Sequence, residues 1–349
     1  MSDVKRASGC LIGLAIGDAL AAPTEFLSFA QIIEKFGVDG PVEPSAKVTD
    51  DTQMALAVGE ALVKARLPLS VQSLEPALRE AFVAWLNSAE NDRAPGMTCM
   101  RACTGLAEGR AWTEATDRSS KGCGANMRVA PVGLLTQNHD GVDQRTRAAI
   151  AQFQSAITHA HPTALAASDL TAATVAELAG GADPADLLQI LREYALSQRQ
   201  LYQEAWLGEI WQRPGIESAA EFIAAGWDEC LTSLDKVEAA LVTIEPGDDP
   251  CALVGEGWIA AEALAAGLLC FLLYPRDAVA GVRRAAVTGG DSDSIACLTG
   301  AFAGASLGIS AWPAEWVQRI EYRDRLQKLA DAWDDSWKHQ AASEIISAS

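Results

Sequence analysis

Most of this chain consists of stretches rich in alanine and leucine whose apolar residues have helical spacing. This pattern constrains the fold more strongly than any other feature of the sequence. Strict alternation of β-branched residues, the pattern of a half-buried strand, is scarce. Short connections rich in Gly, Pro and Asp separate the stretches, without a linker-like composition break or an internal repeat. We therefore predict an all-α fold with one large multi-helix domain over 1–340 and a frayed C-terminal tail at 341–349.

The residues that begin and end helices define the predicted elements. Pro162 suits a first helical turn, where a missing N–H costs little, and Gly180-Gly181 is expected to end the same helix. The longest apolar run, 258–274, is interrupted by Glu262, which favours a buried helix over a membrane span. The predicted helices are 50–65, 74–87, 98–109, 145–158, 162–180, 184–196, 216–242, 256–273, 278–287, 292–307 and 314–337.

Charge and cysteine content exclude several classes of protein. The chain of 349 residues carries 46 acidic and 27 basic side chains, for a net charge of −19. That balance argues against a nucleic-acid partner and against an anionic membrane surface. The polar segment 1–7 lacks the apolar stretch of a secretory signal peptide. The eight cysteines are scattered without a C-x-x-C pair, which predicts small core residues in a reducing cytoplasm.

Two short strings of carboxylates and hydroxyls each begin a predicted helix. They are Thr49-Asp50-Asp51-Thr52 and Asp291-Ser292-Asp293-Ser294. Such residues cap helices by accepting hydrogen bonds from unpaired N–H groups, but one cap needs only one of them. Hard oxygen ligands of this kind also suit Mg²⁺, Mn²⁺ or Ca²⁺. If the two helix starts meet, they form a candidate site for two divalent ions, with double capping as the alternative.

A third acidic segment lies near the start of the chain. Gly13 and Gly17 fall on one helix face and favour close helix packing. Asp18 follows at the end of the apolar stretch, where its charge opposes the helix dipole and calls for a partner. Glu25 stands among apolar neighbours, where a carboxyl group can hold a raised pKa and act as a catalytic acid or base. A surface glutamate is the alternative.

A glycine-rich turn at 121–128 and a histidine pair complete the candidate features. The free N–H groups of such a turn can hold a phosphate, although the sequence is neither a P-loop nor a dinucleotide fingerprint and an ordinary turn is the alternative. His159 and His161 lie between two predicted helices. They could bind a metal or a ligand's sugar or base, or have no role.

Together these segments resemble the ADP-ribosylglycohydrolase family, which includes dinitrogen reductase-activating glycohydrolases and ADP-ribosylarginine hydrolases. The segments keep the family's order over most of the chain, and the combination of TDDT with GGDSDS is the most specific of them. The matching segments are GCLIGLAIGDALAAPTEF (9–26), VTDDTQMAL (48–56), APGMTC (94–99), KGCGANMRVAPVGL (121–134), THAHP (158–162) and GGDSDSIACLTGAFAGASLG (289–308).

The resemblance implies an all-α fold with a centre of two Mg²⁺ or Mn²⁺ ions at helix ends. It implies that Glu25 is a water-bridged ligand or catalytic acid–base near the metals, and that His159 lies near bound ADP-ribose. The implied metal ligands are Thr49, Asp50, Asp51, Asp291, Asp293 and Ser294. The implied diphosphate loop contains Gly122, Cys123, Gly124, Ala125, Asn126 and Met127, with Arg128.

One departure from the family pattern concerns the catalytic base. Some members carry an Asp and an Asn shortly before the helix predicted at 98, where this chain reads Ala-Pro-Gly-Met over 94–97. Glu25, Asp50 or Asp51 would then serve as the base.

The implied reaction is hydrolysis of the C1″ glycosidic bond of ADP-ribosylated substrates, with release of ADP-ribose. Arginine on a protein is the preferred acceptor, and serine, nucleic acid or O-acetyl-ADP-ribose are alternatives. A non-catalytic ADP-ribose-binding or structural protein on the same scaffold is the competing hypothesis, and a two-metal phosphatase a more remote one.

Overall fold

The structure is a computed structural model that describes residues 4–136 and 140–334. Over those residues it is helical and contains no β-strand, only isolated bridges that pair Asp117 with His159 and Gly122 with Ile259. The predicted all-α fold is therefore confirmed. The predicted tail at 341–349 lies outside the described residues.

The helix bounds follow in chain order. The first group is α1 (Arg6–Ala21), α2 (Phe29–Phe36), α3 (Asp50–Lys64), α4 (Val71–Leu86), α5 (Met97–Ala107), α6 (Trp112–Ala115), α7 (Ala130–Gly133), α8 (Gln144–Ala156) and α9 (Pro162–Gly180). The second group is α10 (Leu187–Gln198), α11 (Glu204–Leu207), α12 (Ala219–Thr243), α13 (Pro250–Val254), α14 (Ala260–Leu273), α15 (Ala278–Ala286), α16 (Ser292–Leu307) and α17 (Ala314–Arg319). A further helix covers 323–334, and 3₁₀ turns lie at Cys123–Ala125 and Ile309–Ala311.

Helix ends agree with the sequence at Pro162 and Gly181, whereas the helix predicted from 184 begins at Leu187. Pro162 occupies the first turn of α9, and Gly181 ends that helix in the left-handed region at φ +96°. The prediction of one continuous helix over 314–337 is wrong. The helix is interrupted after α17, and Tyr322 lies there in the left-handed region at φ +58°. The helix predicted from 256 begins at 260, since Gly257 lies at φ +84°.

Helices α1 and α16 pack closely because glycine faces backbone along their contact. A Cβ on Gly304 would lie 1.9 Å from the carbonyl oxygen of Gly9. Small residues face each other in pairs along the contact, with Gly9 opposite Gly304, Gly13 opposite Gly300 and Gly17 opposite Ala296. The packing role predicted for Gly13 and Gly17 is confirmed. Because the pair is antiparallel, the end of α1 lies beside the beginning of α16.

We expect Gly304→Ala to destabilise the protein. Alanine ordinarily favours a helix interior by about 1 kcal/mol over glycine. Here the added methyl group meets rigid backbone, and overpacking of this kind costs about 1–3 kcal/mol or more. The clash should outweigh the propensity gain, and the melting temperature should fall.

The matched control is Gly281→Ala in α15. A Cβ there would meet only the methyl group of Thr299 at 3.5 Å and the carbonyl oxygen of Cys270 at 3.7 Å, which are ordinary contacts. Thermal unfolding should show this variant unchanged or slightly stabilised. Equal melting temperatures for the two variants would contradict the close-packing account.

The core is apolar and alanine-rich, and its buried side chains extend from α1 to the helix over 323–334. All eight cysteines are buried and unpaired, as predicted for small core residues. Within 4–136 and 140–334, no helix combines the length and apolar character needed to cross a membrane.

Candidate metal centre and binding pocket

A buried aspartate from α1 organises the beginning of α3. The carboxylate of Asp18 accepts hydrogen bonds from the backbone N–H groups of Thr49 at 2.9 Å and Thr52 at 3.1 Å, and from the Thr52 hydroxyl. The partner expected for Asp18 is therefore the N-terminus of α3, where negative charge is favourable. Thr49 also caps this helix by accepting from the N–H of Asp51 at 3.3 Å.

With those two caps in place, the side chains of Asp50 and Asp51 are not needed to begin α3. Both are buried, and Oδ2 of Asp51 has no hydrogen-bond partner among the described residues. A buried carboxylate oxygen without a partner is costly unless a cation or a proton compensates it. Double capping alone therefore does not account for the TDDT string.

The beginning of α16 presents its carboxylates in the same way. The backbone N–H of Asp291 donates to the carbonyl of Glu256 at 2.9 Å, and its side chain makes no capping bond. Oδ1 of Asp293 is buried without a partner in the described part of the chain. Carboxylate oxygens of Glu25, Asp291 and Asp293 all lie within 4.8 Å of one another.

The two helix beginnings converge on one pocket of about 260 Å³. Thr49 is buried at the beginning of α3 but does not line it. Glu25 reaches the pocket from the turn after α1, and the Thr24 hydroxyl is 2.9 Å from the Ser292 hydroxyl, which ties that turn to α16. The acidic and hydroxyl residues that line the pocket are Glu25, Asp50, Asp51, Asp291, Asp293 and Ser294.

Burial, together with mutual repulsion, raises the proton affinity of these carboxyl groups. Burial, together with the charges of Asp293, Asp291 and Asp50, raises the pKa of Glu25 to about 10. Burial and the charge of Asp293 also raise the pKa of Asp50 to about 7. For Asp51 and Asp291 the same causes raise the pKa well above its ordinary value. Such a cluster favours binding of either protons or cations, and its oxygen donors suit Mg²⁺ or Mn²⁺.

The glycine-rich turn forms another part of the pocket wall. A Cβ on Gly124 would lie 2.8 Å from Sγ of Cys99, so the turn has no room for a side chain there. The N–H of Cys123 donates to the carbonyl of Trp258 at 3.0 Å, which holds the turn against the chain preceding α14. The predicted loop residues that line the pocket are Gly122, Cys123, Gly124 and Met127, together with His159.

Three residues assigned to the loop by resemblance, Ala125, Asn126 and Arg128, do not line the pocket. The side chains of Ala125 and Asn126 are fully buried. Asn126 donates from Nδ2 to the carbonyl of Ala260 at 3.1 Å, so its amide holds the turn in place. Arg128, which follows the turn, is also fully buried. The backbone of the turn thus lies at the pocket, and these side chains lie in the core.

The two histidines serve different purposes. Nδ1 of His161 accepts from the N–H of Thr163 at 3.2 Å, and this residue caps α9. His159 lines the pocket instead. Because only one of the pair faces the pocket, the alternative of a His–His metal site is wrong.

An aromatic pair at the pocket mouth was not anticipated from the sequence. The rings of Phe26 and Trp258 are stacked, with centroids 5.7 Å apart and an angle of 16° between their planes. Both rings line the pocket and remain exposed by 62% and 41%, which is unusual for large aromatic groups. The sequence shows only Phe26 next to Glu25 and Trp258 at the start of the apolar run 258–274, with nothing that pairs them.

The edge of the pocket at 94–98 carries no carboxylate. Ala94, Gly96, Met97 and Thr98 form this edge. The side chain of Asp92 is 66% exposed beside the Arg93 guanidinium and does not line the pocket. The structure thus places no acid at this edge, and Glu25 is the acid that lines the pocket from outside the two helix beginnings.

A sequence profile of the family described as ADP-ribosylglycohydrolase matches residues 1–343. The chain belongs to the ADP-ribosylglycohydrolase family. It is 28% identical over 337 residues to the ADP-ribosylarginine hydrolase Tri1 of Pseudomonas putida, covering 93% of this chain and 76% of that protein. It is 33% identical over 183 residues to the ADP-ribosyl-[dinitrogen reductase] glycohydrolase of Rhodospirillum rubrum, covering 50% of this chain and 58% of that one.

A solved structure gives the same answer for the fold. A chain titled "ADP-ribosylglycohydrolase-related protein complex" superimposes with a TM-score of 0.67 at 25% identity, covering 95% of this chain and 97% of its own length. This ADP-ribosylglycohydrolase-family protein therefore shares both the sequence profile and the fold of its family.

Proposed function

We propose that the protein hydrolyses the bond between C1″ of ADP-ribose and an arginine side chain on a modified protein, releasing ADP-ribose. The observation that carries this proposal is the placement of Glu25 and both acidic helix beginnings in the same pocket as the glycine-rich turn. The names of the relatives from Pseudomonas putida and Rhodospirillum rubrum support an ADP-ribosylated protein as the substrate.

We propose that the acidic residues hold two divalent ions, Mg²⁺ or Mn²⁺. At this site the residues would hold ions that supply Lewis-acid polarisation to a water molecule and to the hydroxyls of the distal ribose. The unpartnered oxygens of Asp51 and Asp293 and the close carboxylates of Glu25 and Asp291 support the assignment. The proposed ligands are Thr49, Asp50, Asp51, Asp291, Asp293 and Ser294.

Among the protein's own groups, Glu25 is proposed to take a proton from the attacking water, as a carboxylate whose raised pKa falls when cations offset the charges of Asp293, Asp291 and Asp50. The bond from C1″ to the acceptor breaks through a transition state with positive charge on the ribose, and the surrounding carboxylates stabilise that charge. The proton then passes to the leaving guanidine. Asp50 and Asp51 are the alternative acid–base groups. Backbone N–H groups of the glycine-rich turn would hold the diphosphate. These local hydrogen bonds would offset the repulsion between the diphosphate and a protein of net charge −19.

The raised pKa values predict a pH-dependent stability of the metal-free protein. The folded state holds these protons more tightly than the unfolded chain, whose aspartates titrate near pH 4. Their stabilising contribution is therefore full below pH 4 and is lost as the pH rises through about 7, the pKa of Asp50. Metal-free protein should melt at a lower temperature at pH 8 than at pH 5.

Bound cations should reverse that loss, since they compensate the ionised carboxylates. An ion at 100 times its Kd adds about 2.7 kcal/mol of stability. The rise in melting temperature on adding Mn²⁺ should be larger at pH 8 than at pH 5. Taking the difference with and without metal at each pH removes the contribution of all other titrating groups. A rise independent of pH would contradict the proposed ligand set.

A non-catalytic ADP-ribose-binding protein is the second candidate, favoured by one observation. The pocket edge at 94–98 lacks the carboxylate that some family members place there. Such a protein would bind ADP-ribose in the same pocket without turnover.

A panel of defined conjugates distinguishes these proposals. Purified protein with Mg²⁺ or Mn²⁺ should release ADP-ribose from ADP-ribosylarginine faster than from serine-linked, nucleic-acid-linked or O-acetyl conjugates, and EDTA should stop the reaction. Binding of ADP-ribose by calorimetry without release from any conjugate would favour the binding protein. Faster release from another linkage would reject arginine as the acceptor.

A further inference from the structure

A buried guanidinium lies directly behind the glycine-rich turn. Arg128 is fully buried, stacks over the ring of Phe82 at 4.4 Å, and has no carboxylate at ion-pair distance in the described part of the chain. Its Nε donates to Oε1 of Gln154 at 2.8 Å, and its Nη2 donates to the carbonyl of Gln154 and the hydroxyl of Thr158, both at 2.8 Å. Arginine cannot act as an acceptor, so the Thr158 oxygen must accept from it.

The same hydroxyl contacts the histidine of the pocket. Oγ1 of Thr158 lies 2.8 Å from Nδ1 of His159, and both residues are buried. Among the described residues, Nδ1 is the one acceptor that the structure offers to the Thr158 hydroxyl hydrogen. If Nδ1 carried a proton instead, that hydroxyl hydrogen would be buried without an acceptor, which is unfavourable. The hydrogen bond therefore runs from Thr158 to Nδ1, and the ring proton lies on Nε2.

The opposite edge of the His159 ring faces the glycine-rich turn. A Cβ would lie 3.4 Å from Nε2 if built on Gly124, and 3.6 Å if built on Gly122. Burial and the charge of Arg128 lower the pKa of His159 to about 3, so the ring is neutral. A neutral ring can donate from one nitrogen only, and here that nitrogen is at the pocket wall.

We infer that Arg128 and Thr158 are positioning residues that commit His159 to donate its Nε2–H to a diphosphate oxygen beside the glycine-rich turn. This inference rests on the proposed function for the identity of the ligand. The state of the ring does not depend on that function. The arrangement explains why a cation is buried behind the turn without an acidic partner: it fixes a hydrogen-bond chain that ends in the pocket.

The test compares Thr158→Val, which keeps the side-chain shape without the hydroxyl, with Thr158→Ser, which keeps the hydroxyl. Histidine-selective ¹⁵N NMR of the full chain, assigned with His159→Gln, should show the neutral Nε2–H form in the wild type and in Thr158→Ser. In Thr158→Val the Nδ1 hydrogen bond is lost, and the ring signals should shift and broaden. Calorimetry with ADP-ribose in Mg²⁺ should show binding weakened about tenfold in Thr158→Val and restored in Thr158→Ser.

Several outcomes would overturn the inference. An Nδ1–H ring in the wild type contradicts the direction of the hydrogen bond, whatever the protein binds. ADP-ribose binding that is unchanged in Thr158→Val removes the positioning role while leaving the proposed function intact. A wild type that does not bind ADP-ribose rejects the proposed function and the diphosphate contact together, while the NMR result still reports on the ring alone.

Discussion

The double variant Asp291→Asn with Asp293→Asn is expected to lose at least about 100-fold in release of ADP-ribose from ADP-ribosylarginine. Both side chains keep their size, but each loses the charge and one of the oxygens that the proposed ions need. Two of the three carboxyl groups that meet within 4.8 Å are removed, so binding of Mn²⁺ should be lost with the activity. Turnover of the conjugate and Mn²⁺ calorimetry measure the two effects.

A matched change elsewhere shows whether the effect is specific. Asp39→Asn with Asp324→Asn removes the same charge from two exposed positions outside the pocket. This control should retain both turnover and Mn²⁺ binding. The site variant should keep its helical circular dichroism and melt at least as high as the wild type without metal, because it relieves repulsion between buried carboxylates. Unchanged turnover in the site variant would reject the proposed centre.

Glu25→Gln is expected to lower kcat by about 100- to 10,000-fold while ADP-ribose binding changes little. The amide has nearly the same shape but cannot take a proton from water. Glu25 sits in the turn after α1, outside both acidic helix beginnings, so the ions should still bind without it. Single-turnover kinetics on an arginine conjugate and Mn²⁺ calorimetry separate the two contributions.

The control here is Glu34→Gln, an exposed glutamate on α2. It should behave as the wild type in both assays. Loss of Mn²⁺ binding in Glu25→Gln would make Glu25 a metal ligand in place of an acid–base group. Full activity in Glu25→Gln would move the acid–base role to Asp50 or Asp51.

Short sequence patterns were sufficient to predict the features that depend on a few neighbouring residues. TDDT and GGDSDS each place more carboxylates at a helix beginning than capping requires, and their convergence could be proposed from that excess. Glycines spaced four apart in α1 likewise predicted close packing. The structure adds the reason for the convergence, since antiparallel packing of α1 on α16 brings Asp18 and Glu25 to the helix beginnings.

Features that depend on partners distant in sequence could not be found in this way. The N–H groups that Asp18 accepts from belong to α3, and the ring that stacks on Phe26 comes from Trp258. The orientation of Asn126 depends on the carbonyl of Ala260, which no local pattern reveals. Tyr322 breaks a helix that its neighbours favour, and no Gly or Pro marks the break.

The central claim is that two distant helix beginnings enclose a pair of divalent ions. Crystals soaked in Mn²⁺ and measured at the manganese absorption edge test it directly. We expect two anomalous peaks between Asp50 and Asp51 on one side and Asp291 and Asp293 on the other. Well-ordered carboxylates with no anomalous signal between them would contradict it.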